Sequence, residues 1–412
     1  MLKYDVSFLI SLVLTGCCLN YKDEGNQQQT QENQFGTKPE NTQPISRGLH
    51  RKFVRGLIEW KLFEQIVNYI TLEEDQQTAT YAVTHVDRES ACDALITIVR
   101  FIDNPSSSDT QNESQSTPII EDKALLEAHF GEDYLLHALG KNEILEKLTQ
   151  FASGQTNSIQ TTVSSSALVR ILELATGSKN GKKQGAQAAP QISSVSGPIQ
   201  RSRLVHWGVG QSMYETLFDN MPILVKSLSS LNSEGCNDSG DLDSKNLPVF
   251  TSRRLNIITI IAEMLEFGYR SIESADSFKL LETLNEINIE DDSLQSERKK
   301  PGDTINLWLY LNHLLFIFPE NNLFHIQYYR IFFSALRWNH EQTLRLFLQK
   351  SKFVTKAISA LRDPASPFPQ GILLKCLNAL RLQCKCLGPK SYLRHYLESH
   401  DVWKSFKEQM LQ

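Results

Sequence analysis

The chain has 412 residues, which is enough for two to four domains of ordinary size or for one elongated array of repeats. Its net charge of −5 argues against a nucleic-acid binder that relies on bulk positive charge. The 20 glycines and 14 prolines are fewer than average usage gives, and this favours long helices over a turn-rich β architecture. The cysteines number seven, so the sequence implies no disulfide framework and indicates a reducing compartment.

The chain opens with an apolar stretch, VSFLISLVL at 6–14, that has two interpretations. Together with the following Gly16 and Cys17 it has the outline of a signal peptide with a lipidation cysteine. The stretch is too short to span a bilayer, and Asp5 lies where a signal peptide carries positive charge. The same residues fit a buried amphipathic helix. A secreted or lipid-anchored helical protein with an acylated Cys17 is therefore the alternative to the main hypothesis below.

Apolar residues recur at intervals of three and four along most of the chain, and sustained strand alternation is absent. The pattern predicts amphipathic helices at 50–71, 88–102, 121–139, 141–152, 164–176, 211–231, 252–267, 275–287, 305–318, 323–337, 340–349, 352–361, 371–386 and 390–411. Two helix types alternate, as in LFEQIVNYI (62–70) and the later DALITIVRF (93–101). This alternation predicts an all-α fold, an armadillo- or HEAT-like helical repeat solenoid.

Polar segments interrupt these helices and contain too few apolar residues to offset the entropy of ordering them. They predict long disordered loops inserted into the solenoid, at 20–47, 103–118, 177–203, 232–248 and 288–303. The last segment mixes acidic residues with Arg298-Lys299-Lys300-Pro301, a charge run that is typical of a solvated loop.

The chain contains no motif that identifies an enzyme. Nucleophile elbows, phosphate-binding loops, metalloprotease motifs and kinase motifs are absent from the sequence. The candidate metal ligands cluster near the C-terminus, but their spacing matches no common zinc site. These candidates are Cys376, Cys384, Cys386, His395 and His400. We therefore predict no catalytic residues, no cofactor and no bound metal.

The most informative segment is HLLFIFPENNLFHIQYYRIFFSAL at 313–336. Pro319 cannot continue the first helix, and Asn321 or Asn322 can cap the second by accepting a hydrogen bond from its first turn. His325 is then expected in that first turn. The core face of the second helix is predicted to comprise Ile331, Phe332, Ala335 and Leu336.

The same segment resembles the signature of the SAPS-domain family, the regulatory subunits of serine/threonine-protein phosphatase 6. Members carry Asn-Asn-Phe-Leu-His-x-Gln after an aromatic residue and a short turn. This chain has Leu323 and Phe324 in the swapped order and keeps Asn321, Asn322, His325 and Gln327. Further segments resemble family helices in the same order along the chain: 51–67, 88–100, 143–148, 163–174, 253–265 and 403–411.

The resemblance covers most of 1–411 and implies a single SAPS-like helical-repeat domain. Residues 1–14 resemble a helix from well inside the family's domain, so we expect a domain that is incomplete at its N-terminus. The family implies a non-enzymatic scaffold that binds the phosphatase 6 catalytic subunit, joins ankyrin-repeat regulatory subunits and directs the phosphatase to substrates. It also implies a cytoplasmic and nuclear location without nucleic-acid or membrane partners. The partner-binding residues that we predict are Asn321, Asn322, His325 and Gln327.

Overall fold

The structure, a computed structural model, describes part of the chain. The described segments are 62–71, 85–103, 142–154, 159–176, 209–228, 250–271, 278–290, 304–363 and 369–410. Of these residues, 85% are helical, which confirms the all-α prediction for this part of the chain. No helix among them is long and apolar enough to cross a lipid bilayer.

The chain divides into two compact units, each built from two stretches of sequence. The first unit comprises 1–151 and 166–216, and the second comprises 152–165 and 217–412. The first six helices described along the chain are α1 (Leu62–Ile70), α2 (His85–Asp103), α3 (Asn142–Ala152), α4 (Ile159–Ala175), α5 (Val209–Lys226) and α6 (Ser252–Ser271).

The remaining elements belong to the second unit. They are α7 (Lys279–Glu286), β1 (Asn288–Glu290), β2 (Thr304–Asn306), α8 (Leu307–Ile317), α9 (Asn322–Trp338), α10 (Glu341–Leu344), a π-helical segment (Arg345–Lys350), α11 (Phe353–Arg362), α12 (Gln370–Cys386), α13 (Tyr392–Ser399) and α14 (Asp401–Met410). Most of these helices follow the predicted apolar periodicity to within a few residues at each end.

In the first unit, polar side chains join neighbouring helices. The guanidinium of Arg88 on α2 donates to the Ile70 carbonyl at the end of α1, at 2.7 Å. Lys147 Nζ on α3 donates to Asn68 Oδ1 on α1 at 2.6 Å. Arg170 on α4 pairs with Asp93 on α2 at 2.5 Å. Helices α1 and α3 are thus neighbours, and so are α2 and α4.

In the second unit, α6, α9 and α12 lie side by side and run in the same direction. Between α6 and α9, Glu263 lies near Arg330, and one to two turns further on Tyr269 lies under Arg337. Between α9 and α12, Tyr329 lies near Lys375 and the Leu336 carbonyl accepts a hydrogen bond from Gln383. The paired residues advance together along each helix, and this fixes the parallel direction.

Two short β-strands show that the predicted loop at 288–303 is wrong for its first three residues and that the predicted helix start at 305 is wrong, whereas 291–303 lie outside the described residues. Residues 288–290 form β1 and pair antiparallel with β2, with Ile289 opposite Ile305. Ile289 is fully buried, so the strand pair adds an apolar side chain to the core. Strands of three residues are too short for alternation to reveal, and their pairing is non-local.

Two predicted helices near the C-terminus are each divided in the structure. The segment 340–349 comprises α10 and most of the π-helical segment. The segment 390–411 divides into α13 and α14 at His400, whose Nδ1 accepts the Trp403 N–H at 3.3 Å. His400 thereby caps α14, a role that Ser, Thr, Asp and Asn fill more often.

Several predictions lie outside the described residues. These are the N-terminal stretch with Cys17, the helix at 121–139, the loops at 20–47, 177–203 and 232–248, and the loop at 103–118 beyond its first residue, which ends α2. The single domain over 1–411 stays a prediction.

Candidate partner-binding surface

The turn between α8 and α9 is held by a compact set of hydrogen bonds, as the sequence predicts. Asn321 Oδ1 accepts the Phe324 N–H at 3.0 Å, which makes Asn321 the N-cap of α9. The Phe318 carbonyl accepts from the Asn321 N–H at 3.3 Å and from His325 Nε2–H at 3.0 Å. These bonds fix where α9 begins and in which direction it leaves the turn.

Aromatic packing beneath the turn anchors it to the core. The ring of Phe250, two residues ahead of α6, lies 5.0 Å from the rings of both Phe318 and Phe324. Phe324 is fully buried, while the preceding Leu323 is 63% exposed. The swapped order of these two residues therefore places the larger ring in the core and the leucine on the surface.

Burial lowers the pKa of His325 below its ordinary value, and the hydrogen bond to Phe318 offsets part of this effect. The side chain is 5% exposed, so the imidazole is a structural element of the turn. Its neutral form with the proton on Nε2 supplies the N–H that the Phe318 carbonyl needs.

Gln327 takes part in an ion-pair network between α6 and α9. Its Oε1 accepts from Arg330 Nη1 at 2.9 Å. The same guanidinium reaches Glu263 at 2.6 Å and Glu266 at 2.8 Å. The Glu263 side chain is 1% exposed, so its carboxylate is a buried charge that the Arg330 guanidinium must neutralise. Gln327 thus helps to orient the arginine that ties α9 to α6.

The structure brings the four predicted partner-binding residues together at the start of α9. Asn321, His325 and Gln327 make the internal hydrogen bonds described above, whereas Asn322 is exposed as the first residue of the helix. Their internal bonds give three of the four a structural role. Whether any of them binds a partner stays a prediction.

Sequence reasoning missed the outward face of α9. Leu323, Ile326 and Phe333 are 63%, 54% and 39% exposed and recur at helical spacing. Tyr329, half-buried between them, stacks on Phe333 with ring centroids 6.0 Å apart. We call these four residues the α9 ridge. The signal available in the sequence is that α9 has apolar residues on the side opposite its predicted core face.

The neighbouring helix α12 places a cation beside this ridge and carries two further exposed apolar side chains. Lys375 lies over the Tyr329 ring, with Nζ 4.2 Å from the centroid. On α12, Leu374 and Leu382 are 45% and 49% exposed. Half of the ten large apolar side chains that are exposed among the described residues therefore lie on α9 and α12. Such a concentration is typical of a protein–protein interaction site.

The cysteines near the C-terminus do not converge with the histidines. Cys376 is buried under α9, and burial raises the pKa of its thiol, which disfavours the thiolate that metals bind. Cys386 is exposed at the end of the same helix. His400 Nε2 lies 3.2 Å from Thr355 Oγ1. Among the described residues, no group of three or more His, Cys, Asp or Glu side chains is placed to hold a metal ion.

Comparison with protein-family models, with curated proteins and with solved structures yields no match to this chain. The resemblance to the SAPS-domain family therefore rests on the sequence motifs, and the function that it implies is argued below from the surface.

Proposed function

We propose that the chain is a regulatory and scaffolding subunit that binds the catalytic subunit of serine/threonine-protein phosphatase 6 and directs it to substrates. The observation that carries the proposal is the α9 ridge, an exposed apolar face that begins at the turn with the family's signature. Apolar side chains that are not used in the core of a scaffold are available for a partner.

The hydrogen bonds of the turn explain how the signature residues could favour partner binding. The cap at Asn321 and the His325 bond to Phe318 fix the start of α9. The Arg330 network then fixes the rotation of α9 against α6. A binding face that is held rigidly loses less entropy when a partner docks on it. These residues thus favour binding by positioning the α9 ridge.

The arrangement of helices in the second unit is the second support. In the second unit α6, α9 and α12 form one row, and polar contacts link helices of a second row. In that second row, the Tyr310 hydroxyl on α8 donates to the Leu228 carbonyl just after α5, and Asn312 on α8 donates to the Phe347 carbonyl in the π-helical segment. We propose that these rows are those of an armadillo- or HEAT-like solenoid, a fold whose stacked pairs make extended binding surfaces.

The mechanism is positional. A scaffold that holds the phosphatase and a substrate together raises the effective concentration of one for the other without touching the reacting atoms. The proposal extends to ankyrin-repeat subunits as further partners and to a cytoplasmic and nuclear location, as the family resemblance implies.

Binding of the purified phosphatase 6 catalytic subunit to the immobilised full chain tests the proposal. We expect Ile326→Glu to weaken binding about tenfold or more, because a charge would be buried in an apolar contact. The matched control is Ile223→Glu on α5, since Ile223 is 56% exposed and Ile326 is 54% exposed. Both variants should melt close to the wild-type temperature, because surface substitutions change stability by about 0.5 kcal/mol or less.

Two results would overturn the proposal. One is a wild-type chain that does not bind the catalytic subunit at all. The other is equal binding by the Ile326→Glu and Ile223→Glu variants, which would move the interface away from the α9 ridge.

A further inference from the structure

Helices α9 and α12, which carry five of the ten exposed large apolar side chains among the described residues, contain no acidic residue. Over 322–338 and 370–386 the sequence has neither Asp nor Glu. The basic residues in the same two helices are Arg330, Arg337, Lys375, Arg381 and Lys385. The whole chain has a net charge of −5, yet all the Asp, Glu, Lys and Arg side chains of these two helices are basic.

One of these charges is neutralised internally and two are placed at the ridge. Arg330 is paired with Glu263 and Glu266 of α6. Lys375 Nζ lies 4.2 Å from the centroid of the Tyr329 ring, and Arg337 lies 4.0 Å from that of Tyr269 and 5.9 Å from that of Phe333. Both cations are exposed, and neither forms an ion pair within the described part of the chain.

These positions define an apolar strip with a cation at two points of its border. The strip follows α9 from Leu323 to Phe333, and Lys375 and Arg337 border it from the side of α12 and from the C-terminal end. A cation on the face of an aromatic ring keeps its head group near the surface, where a partner's carboxylate can reach it. The complementary surface is therefore apolar at its centre and acidic at its border.

We infer that the α9 ridge and its two cations bind one amphipathic helix of a partner protein, with apolar side chains at helical spacing and Asp or Glu beside them. The inference rests on the proposed function and adds the chemistry of the segment that docks. Parallel neighbouring helices present ridges and grooves against which another helix packs, and an apolar helix face laid in such a groove is a common recognition mode.

A second copy of the chain fits this surface poorly. In a two-fold symmetric interface the same patch meets itself, so Arg337 and Lys375 would face a second pair of cations. The apolar N-terminal stretch at 6–14 fits no better, because it contains no acidic residue and Asp5 beside it is accompanied by Lys3. Charge complementarity thus favours an acidic segment of another protein.

Photocrosslinking in the full chain identifies the occupant directly. Ile326→p-benzoylphenylalanine places the reactive group on the ridge, and Ile223→p-benzoylphenylalanine is the control at equal exposure. In cells that naturally contain the chain, we expect a crosslink from position 326 to a partner peptide with apolar residues at i, i+3 or i+4 and i+7, and with acidic neighbours. Position 223 should not give that peptide.

Charge reversal then tests the electrostatic part. Arg337→Glu combined with Lys375→Glu should lower the yield of that crosslink about tenfold. Lys350→Glu combined with Lys356→Glu changes the net charge equally at exposed positions on other elements, and we expect the yield to stay unchanged. Acidic-to-lysine substitutions in the crosslinked partner segment should restore the yield with the Arg337→Glu, Lys375→Glu chain.

The outcomes separate this inference from the proposed function. A crosslinked segment of the expected chemistry on a protein other than the phosphatase supports the inference and contradicts the proposed partner. Two results would overturn the inference and leave the proposed function standing, provided that the phosphatase binds. The first is no crosslink from position 326. The second is a crosslink to this chain, to a second copy, to a lipid or to a peptide without acidic residues. Equal yields from the two charge-reversed chains also overturn it.

Discussion

Helices α8 and α9 are joined by one short turn and are both rich in large apolar residues, yet they use them differently. In α8, Trp308, Tyr310 and the leucines at 307, 311, 314 and 315 are buried, and the helix contains no Asp, Glu, Lys or Arg. In α9, residues such as Phe324, Tyr328 and Phe332 are buried, while Leu323 and Ile326 are more than half exposed. The comparison shows that apolar content alone does not separate a core helix from a helix with a second, solvent-exposed apolar side.

The largest effect is expected from the buried face of α9. Phe332 is fully buried and lies 5.4 Å from the Phe347 ring and 5.1 Å from the Phe353 ring. Phe332→Ala should lower the free energy of unfolding by about 3–5 kcal/mol, because it removes apolar contacts and leaves a cavity. Chemical denaturation of the full chain measures this loss.

The next residue supplies the control for that prediction. Phe333 is 39% exposed on the ridge, so Phe333→Ala should cost much less than Phe332→Ala. Equal losses for the two variants would show that both sides of α9 are buried, and the distinction between its faces would be wrong.

A smaller effect is expected at the turn that joins the two helices. Asn321→Ala removes the side-chain acceptor for the Phe324 N–H and should cost about 0.5–2 kcal/mol of stability. Asn322→Ala, one residue later at an exposed position, should cost much less. Thermal unfolding of both single variants decides between them, and a larger loss for Asn322→Ala would reject Asn321 as the cap.

The smallest effect is a pH dependence from His325. Burial lowers its pKa in the folded chain, so the unfolded chain takes up the proton first as the pH falls. The contribution of His325 to stability is therefore complete above its ordinary pKa of 6.5 and decreases as the pH falls from 6.5 toward the lower folded-state pKa. Chemical denaturation at several pH values from 7.5 to about 5.5 measures this slope.

His325→Gln is the control for the pH series, because glutamine can donate to the Phe318 carbonyl and does not titrate. The difference in stability between wild type and His325→Gln should shift against the wild type as the pH falls. A difference that stays constant with pH would contradict the lowered pKa.

The local features of this region could be predicted from the sequence. Pro319 ends α8, Asn321 begins α9, and the core face at Ile331, Phe332, Ala335 and Leu336 follows the helical period. Each of these depends on residues within a few positions of one another. The stacking of α9 on α6 and α12 could not be predicted, because it depends on pairs such as Arg330 and Glu263 that lie far apart in sequence.

The exposed ridge escaped prediction for the same reason. Periodicity finds both apolar stripes of α9, but the neighbours α6 and α12 decide which stripe is buried. The strand pair at 288–290 and 304–306 could not be predicted because its strands are very short. The cap at His400 could not be predicted because histidine is an uncommon capping residue.

The most direct test of the central claim is hydroxyl-radical footprinting of the full chain, alone and with the phosphatase 6 catalytic subunit. We expect Leu323 and Ile326 to be oxidised in the free chain, because they are exposed, and to be protected when the catalytic subunit is added. Ile223, exposed to the same degree as Ile326, should be oxidised equally in both states. Protection of Leu323 and Ile326 in the free chain, or unchanged oxidation after the catalytic subunit binds, would contradict the account.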